Sequence, residues 1–298
     1  MALHRFTFRA MAAENEIQVH AGDAALAERA AGRAIDEVAR IEAKYSRYKD
    51  DSVVSRINFA AGGAAVAVDE ETRGLLAYAD ACFRQSEGLF DATSGVLRRA
   101  WRFDGTRVPG DDELAPLVAL VGWDRVELGE ESVRLPAKGM EIDFGGFGKE
   151  YAVDRAALAL AEAGAGCAMV NLAGDLAILA PQPDGSPWRV GIRHPRREGA
   201  LLAALPVVSG AIATSGDYER FIEVDGVRHC HVLDPRTGRS ARGVQSVTVH
   251  ATSCLVAGSA TTIAMLKGPR DGLEWLDSLG LPYLCMLEGG EVVNRFRQ

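Results

Sequence analysis

The chain has 298 residues, of which 48% are hydrophobic, 25% charged and 7% aromatic. That composition excludes a disordered chain or a coiled coil, and a chain of this length buries roughly three quarters of its unfolded surface without needing a disulfide or metal staple. Lys and Arg number 33 against 41 acidic residues, a net charge of -8, which repels a phosphate backbone and makes nucleic acid an unfavoured partner. The five cysteines, Cys82, Cys167, Cys230, Cys254 and Cys285, are odd in number and lack C-x-x-C spacing, so a reducing compartment is expected. Residues 1 to 9 alternate charged with apolar side chains and offer no signal-peptide h-region, and no apolar run is long enough to span a bilayer. The expectation is a cytoplasmic protein with no membrane span, or a periplasmic one if a leader ended before Met1.

In chain order, Glu16 to His20 alternates like a strand. Ala31, Ile35, Val38, Ile41 and Tyr45 then form the apolar stripe of a helix over residues 24 to 45. Val53 to Ile57 and Thr72 to Glu87 read as helices, the second stopped by Gly88, and Asp104 to Pro109 as turn residues. Val126 to Leu128 and Ser132 to Leu135 flank Gly129-Glu-Glu131 as a hairpin, and Gly139 to Phe144 reads as a strand running into glycines. A helix is expected over 150 to 163, ended by Gly164, followed by two strands between Cys167 and Ala180 folded about Ala173-Gly174-Asp175, then a turn at Asp184 to Pro187. Short strands follow at 188–193, 201–208, 211–214, 221–224 and 244–250, before helices near 256–267 and 271–279. No linker or internal repeat interrupts them. The pattern predicts one α+β domain over 1–298, with mixed, mainly antiparallel sheets and packed helices.

Three constellations can carry chemistry. In Ile142-Asp-Phe-Gly-Gly-Phe-Gly-Lys149 a strand meets three glycines and a lysine where a helix starts. Glycines admit an anion close to the backbone, helix-start amides and the dipole favour it, and Lys149 supplies charge. Glu150 stands where a Walker A loop requires Ser or Thr, and the spacing is not G-x-G-x-x-G, so a nucleoside triphosphate is disfavoured. The second constellation pairs Ala213-Thr-Ser-Gly-Asp-Tyr218 with His231-Val-Leu-Asp-Pro-Arg-Thr-Gly238. His231 is the candidate general base, with Asp217 or Asp234 to orient it, while Asp234 to Gly238 also has the composition of a turn. The third, Gly88-Leu-Phe-Asp-Ala-Thr-Ser-Gly95, reads in isolation as a helix cap, and nearby Trp101 as core.

The order of these pieces resembles the ApbE family of FAD:protein FMN transferases. The motifs are Tyr45-Ser-Arg-Tyr48 with Asp51-Ser52 and Ile57-Asn58, Phe90-Asp-Ala-Thr93 with Trp101, Asp143 to Lys149 with Tyr151 to Asp154, Asn171 to Asp175, Thr214 to Tyr218, and His231 to Gly238. The resemblance covers nearly the whole chain and implies an ApbE-like, T-fold-like α+β fold. It further implies an enzyme that binds FAD, splits its pyrophosphate with Mg2+, and moves FMN onto a Thr or Ser hydroxyl of an acceptor redox protein as AMP leaves. Carried over residue by residue, the flavin-binding positions are Met11, Tyr48, Leu89, Phe90, Asp91, Asp143 and Lys149, with Thr214, Ser215 and Gly216 lining the same cleft. His231 is the motif histidine, and of the two carboxylates that could orient it Asp217 is the catalytic candidate. The metal positions are the Gly146 carbonyl and Thr262.

Two positions depart from the family pattern. A metal-binding aspartate is expected four residues before Thr262, and Gly258 stands there; Val256 to Thr262 holds no carboxylate. Mg2+ prefers at least one carboxylate, so another acid, with Asp217 a candidate, or FAD itself would have to complete its shell. Glu150 stands where the family usually has glycine, beside the phosphate cradle, where a negative charge does not help an anion bind. The alternative is therefore a non-catalytic FAD-binding protein for storage, delivery or sensing; hydrolysis of FAD to FMN and AMP needs the same ion. Asp91-Ala-Thr-Ser-Gly95 begins like an acceptor motif but continues Val96-Leu97 without the required hydroxyl, so no self-flavinylation is expected there.

Overall fold

A computed structural model describes residues 1–296. It opens with a hairpin of β1 (Ala2–Ala10) and β2 (Ala13–Ala21), followed by α1 (Ala24–Tyr45), α2 (Val53–Phe59), β3 (Val66–Ala67), α3 (Glu70–Gln85) and a 3-10 turn at Ser94–Arg99. Next come α4 (Asp111–Val118), the short pair β4 (Glu127–Leu128) and β5 (Ser132–Arg134), α5 (Gly148–Glu162), β6 (Ala168–Leu172) and β7 (Asp175–Ile178). The remainder is β8 (Trp188–Arg193), β9 (Leu201–Val207), β10 (Gly210–Gly216), β11 (Phe221–Val224), β12 (Val227–Cys230), β13 (Val244–Ala251), α6 (Cys254–Lys267), α7 (Asp271–Leu279), β14 (Tyr283–Leu287) and β15 (Val292–Asn294). The main sheet has eight strands in the order β1-β2-β6-β7-β10-β13-β14-β15, and each of its ladders is antiparallel.

One face of this sheet is covered by helices. α1 buries Ala27, Ala30, Ala31, Ala34, Val38 and Ile41, and these small side chains let α5 come close with its own Ala152 and Ala156. α6 lies on β10 and β13. Its first amides, Cys254 and Leu255, donate to the Asp154 carboxylate of α5 at 2.7 and 2.9 Å. This shared cap fixes the two helices that frame the site relative to each other. The opposite face packs Met169, Leu176, Ile178, Ile212 and Leu284 against the inward residues of the β8–β9 hairpin, where alternation along β8 buries Trp188, Val190 and Ile192. Among the described residues no helix is long and apolar enough to cross a membrane, and the five cysteines are free.

The helices of the sequence analysis form with bounds shifted by a few residues, as do the β4–β5 hairpin and the strands either side of Ala173-Gly174. Gly139 to Phe144 is corrected: it forms no strand. Its polar groups are met by side chain and loop instead, the Asn58 amide bonding both Ile142 N at 2.7 Å and Ile142 O at 3.0 Å, and Asp143 N donating to Ala92 O at 2.8 Å. The backbone is satisfied without a ladder partner, a condition that apolar patterning does not reveal. β1, β3, α4, β12, β14 and β15 are additions to the expected elements.

A charged cluster ties α1, α3 and α5 together on the outside. Glu71 receives Arg40 Nη2 at 2.6 Å and the Tyr151 hydroxyl at 2.8 Å and is ion-paired with Lys44. Hydrogen bonds from Arg40, with those of Lys44 and Tyr151, hold its carboxyl well below the usual range despite burial. Burial raises Asp69, but bonds from Lys44 and Thr72 outweigh it and bring the group to about 2. Both folded values lie below the unfolded ones, so this stabilisation is complete above about pH 5 and is lost as pH falls through the folded values. Glu71→Gln is expected to cost about 1–2 kcal/mol at pH 7 in urea unfolding, with the difference from wild type shrinking towards pH 2.

Candidate active site

The glycine-rich turn and the start of α5 form the floor of the site. Phe144 and Phe147 point inward, with ring centroids 5.0 Å apart, Phe144 against Tyr45 at 5.5 Å and Phe147 against Tyr78 at 5.7 Å. These anchors press the turn onto the core and leave its glycines on the open side. A Cβ on Gly146 would lie 3.0 Å from Phe90 Cζ, so the absence of a side chain lets the turn close over Phe90. α5 begins without a side-chain cap, leaving its first amides to a ligand or water.

Lys149 Nζ sits 2.7 Å from the buried Asp175 Oδ2, and the other carboxylate oxygen accepts Thr214 N at 3.2 Å. Burial opposes the Lys149 charge, but Asp175 and Glu150 override it and keep the ammonium protonated. Thr214 Oγ1 lies 2.8 Å from Thr248 Oγ1, and Ser215 Oγ lies 2.8 Å from Thr261 Oγ1 and 3.3 Å from Thr262 Oγ1. Of the two β10 hydroxyls, Thr214 therefore meets β13 and Ser215 meets α6. Gly216 is required at its end, because a Cβ there would stand 2.3 Å from the Tyr218 ring. Among the described residues no group of three or more His, Cys, Asp and Glu side chains is placed to hold a metal; a cation here would rely on hydroxyl and carbonyl oxygens as well as a carboxylate.

Asp143 lies on the other side of the turn, in an ion pair with Arg98 at 2.6 Å and accepting Gly145 N at 3.1 Å. Arg47 donates to Gly95 O at 3.3 Å and lies under the Tyr48 ring at 5.6 Å; Tyr48 itself is 77% exposed, an aromatic face open to a planar ligand. Asp91 is buried and occupied: Oδ1 accepts Thr93 N at 2.7 Å and Thr93 Oγ1 at 2.5 Å, and Oδ2 accepts Trp123 N at 3.0 Å. Burial raises its pKa against these bonds. Asp91 thus shapes the loop that carries Leu89, half-buried, and Phe90, buried. Met11 has φ 52° and Ala12 φ 62°, the left-handed pair of a tight two-residue hairpin turn. Asn15 Nδ2 braces that turn by donating to Ala10 O and Ala13 O, each at 3.1 Å.

His231 is exposed on the segment after β12. Desolvation by the protein around it, with the charges of Arg220 and Lys149, lowers its pKa from the ordinary imidazole value despite an opposing backbone bond at Arg220. The ring is therefore neutral at pH 7 and senses the Lys149 side of the site. The expected orienting carboxylates are corrected by the structure. Asp217 is engaged by both Arg196 guanidinium nitrogens, at 2.7 and 2.5 Å, and Asp234 Oδ1 accepts Arg236 N at 2.8 Å. Phe103 instead meets the imidazole edge-on, with centroids 6.5 Å apart. A cavity of about 570 Å³, which His231 does not line, is bounded by residues including His229, Asp234, Arg239 and Arg242. Trp101 is core, as expected, with Nε1 donating to Gly238 O at 2.7 Å.

The ApbE family model matches residues 11–285. The chain belongs to the ApbE family. It is 30% identical over 249 residues to the FAD:protein FMN transferase of Vibrio cholerae, covering 82% of this chain and 75% of that one. It is 32% identical over 251 residues to one of Klebsiella pneumoniae, covering 82% and 78%. The ApbE protein of Thermotoga maritima superposes with a TM-score of 0.88 at 32% identity, over 98% of this chain and 97% of that one. The apo flavinyl transferase ApbE of Pseudomonas stutzeri superposes with a TM-score of 0.85 at 28% identity, over 98% and 93%. The expected mainly antiparallel α+β architecture is thus that of solved ApbE structures. Three charged residues of the site lie outside the residues expected from sequence: Asp175, Arg47 and Arg98. Asp175 and Arg47 had a signal, since each is a charged residue inside a quoted motif; Arg98 had none beyond its place soon after Thr93.

Proposed function

We propose that the chain is an FAD:protein FMN transferase, and that the Lys149–Asp175 pair at the uncapped start of α5, within electrostatic reach of neutral His231, is the center of its site. Family membership and the shared fold support this reading. The pyrophosphate of FAD suits the glycine turn, whose amides and Lys149 ammonium offset its charge, while Tyr48 and the Asp143–Arg98 pair lie on the side suited to the flavin. His231 accepts the proton of the acceptor Ser or Thr hydroxyl as its oxygen bonds to the FMN phosphorus, and the bond from that phosphorus to the AMP oxygen breaks. Lys149 steadies the charge gathering on the departing phosphate.

Mg2+ fits the donors present. It is a hard cation that takes oxygen ligands, and the site offers the Thr262 and Ser215 hydroxyls and a buried carboxylate, Glu150, whose Oε2 has no hydrogen-bond partner; the Gly146 carbonyl is the backbone ligand expected from the resemblance. When bound, the ion would neutralise pyrophosphate oxygens. Asp217, weighed from sequence as a substitute ligand, is committed to Arg196. The binding-only alternative was motivated by the carboxylate missing at Gly258; a carboxylate in the adjoining space favours the catalytic reading.

The test is incubation of the protein with FAD and Mg2+, with and without a Ser/Thr acceptor peptide. AMP released only when the peptide is present, matched by flavinylated peptide, is the expected result. AMP released equally without peptide would overturn transfer in favour of hydrolysis. Asp143→Asn should weaken FAD binding by roughly tenfold, the loss of one charge-assisted contact set, measured by flavin fluorescence titration.

A further inference from the structure

Glu150 and Gly258, read from sequence as two unrelated departures, occupy one space. Glu150 lies in the first turn of α5, is 8% exposed, and leaves Oε2 unpartnered. A Cβ built on Gly258 would fall 2.4 Å from Glu150 Cγ and 2.9 Å from both Cδ and Oε1. Real side chains do not tolerate such approaches, so a glutamate at 150 in this rotamer and any side chain at 258 exclude each other. Glycine at 258 makes room for Glu150.

The neighbouring contacts fix where that carboxylate sits. One helical turn along α5, Asp154 caps the first amides of α6; one turn along α6 from Gly258, Thr262 meets Ser215 at 3.3 Å. The Glu150 carboxylate is thus wedged between α5 and α6 at Gly258, one helical turn from Thr262. The nearest ammonium in the site, Lys149, is spent on Asp175. A buried carboxylate with a free oxygen is costly unless something positive completes it. The oxygen donors nearby, the Ser215 and Thr262 hydroxyls together with the Glu150 carboxylate, suit a hard divalent cation.

We propose that Glu150 is the carboxylate ligand of a Mg2+-type cation in this protein, delivered from α5 into the space that a side chain at position 258 of α6 would otherwise fill. The proposal rests on the transferase reading for the purpose of the ion but not for its binding. A carboxylate ligand has been exchanged between two helices whose relative position Asp154 holds.

Binding of Mn2+ to the FAD-free 298-residue chain, followed by electron paramagnetic resonance, tests this directly. Glu150→Gln keeps the shape and removes the charge, and should weaken Mn2+ binding by about tenfold or more. Gly258→Ala, whose methyl displaces Glu150, should weaken it similarly. The double variant Glu150→Gly with Gly258→Asp moves the carboxylate to the other helix and should bring affinity back to within a few-fold of wild type. Unchanged Mn2+ affinity in Glu150→Gln overturns the proposal, as does a double variant with native circular dichroism and melting temperature that binds no better than Glu150→Gln. Tight Mn2+ binding through Glu150 without FMN transfer would leave the ligand assignment standing and defeat the transferase reading. Transfer with unaltered metal affinity in Glu150→Gln would do the reverse.

Discussion

Replacing His231 with alanine is expected to lower kcat for FMN transfer by about 10²–10⁴-fold, the usual worth of a positioned general base, while FAD affinity changes little. The side chain is exposed and hydrogen-bonds to no carboxylate, so the fold should hold: surface truncations outside special features fall within about 0.5 kcal/mol. The neutral imidazole is the active form, and its pKa is lowered from 6.5. The rate should therefore be flat at pH 7 and fall on acidification only below that ordinary value, because protonation removes the base. The Ala variant should lack this acid limb. Stopped assays of AMP and flavinylated peptide across pH separate the outcomes. A variant that retains the acid limb and loses less than tenfold in kcat would show that the base lies elsewhere.

Asp175→Ala is expected to have the largest effect on stability. Its carboxylate is 4% exposed and holds both Lys149 Nζ and Thr214 N. Removing it leaves an ammonium with reduced compensation at the helix start and an unbonded amide on β10. Breaking a buried pair from one side costs about 3–5 kcal/mol; the Lys149 side chain is 34% exposed, which retains some hydration and places the expectation near about 3 kcal/mol. Urea unfolding should show a lower midpoint with an unchanged slope. The companion Lys149→Met, which removes the positive partner, should be destabilising and should also weaken FAD binding. Asp175→Ala at wild-type stability would mean that the pair does not form in solution.

The helix of residues 24 to 45 was legible because Ala31, Ile35, Val38, Ile41 and Tyr45 recur on one face; the Asp23 cap that begins it is seen in the structure. The glycine turn with Lys149, the hydroxyl strand and the histidine segment were legible as motifs because each packs its chemistry into a few consecutive residues. What sequence could not convey was pairing across space. The Gly139 to Phe144 segment has the apolar pattern of a strand, yet its partner is the Asn58 side chain. Asp217 stands close to His231 in chain order but is held by Arg196. Glu150 and Gly258 each looked unfavourable alone, one a misplaced negative charge and the other a lost ligand; the close approach of α5 and α6 makes them complementary. The N-terminal strand β1 was missed because charged residues such as Arg5 and Arg9 occupy its exposed face, where an edge strand tolerates them.

Mass spectrometry of an acceptor peptide after incubation with wild-type protein, FAD and Mg2+, with AMP quantified in the same reaction, decides whether the protein transfers FMN. The expected result is peptide carrying FMN on a Ser or Thr oxygen, one AMP for each FMN attached, and loss of both products in His231→Ala. FAD recovered intact from folded, FAD-bound, Mg2+-saturated protein after incubation with an acceptor that another ApbE transferase modifies would contradict it.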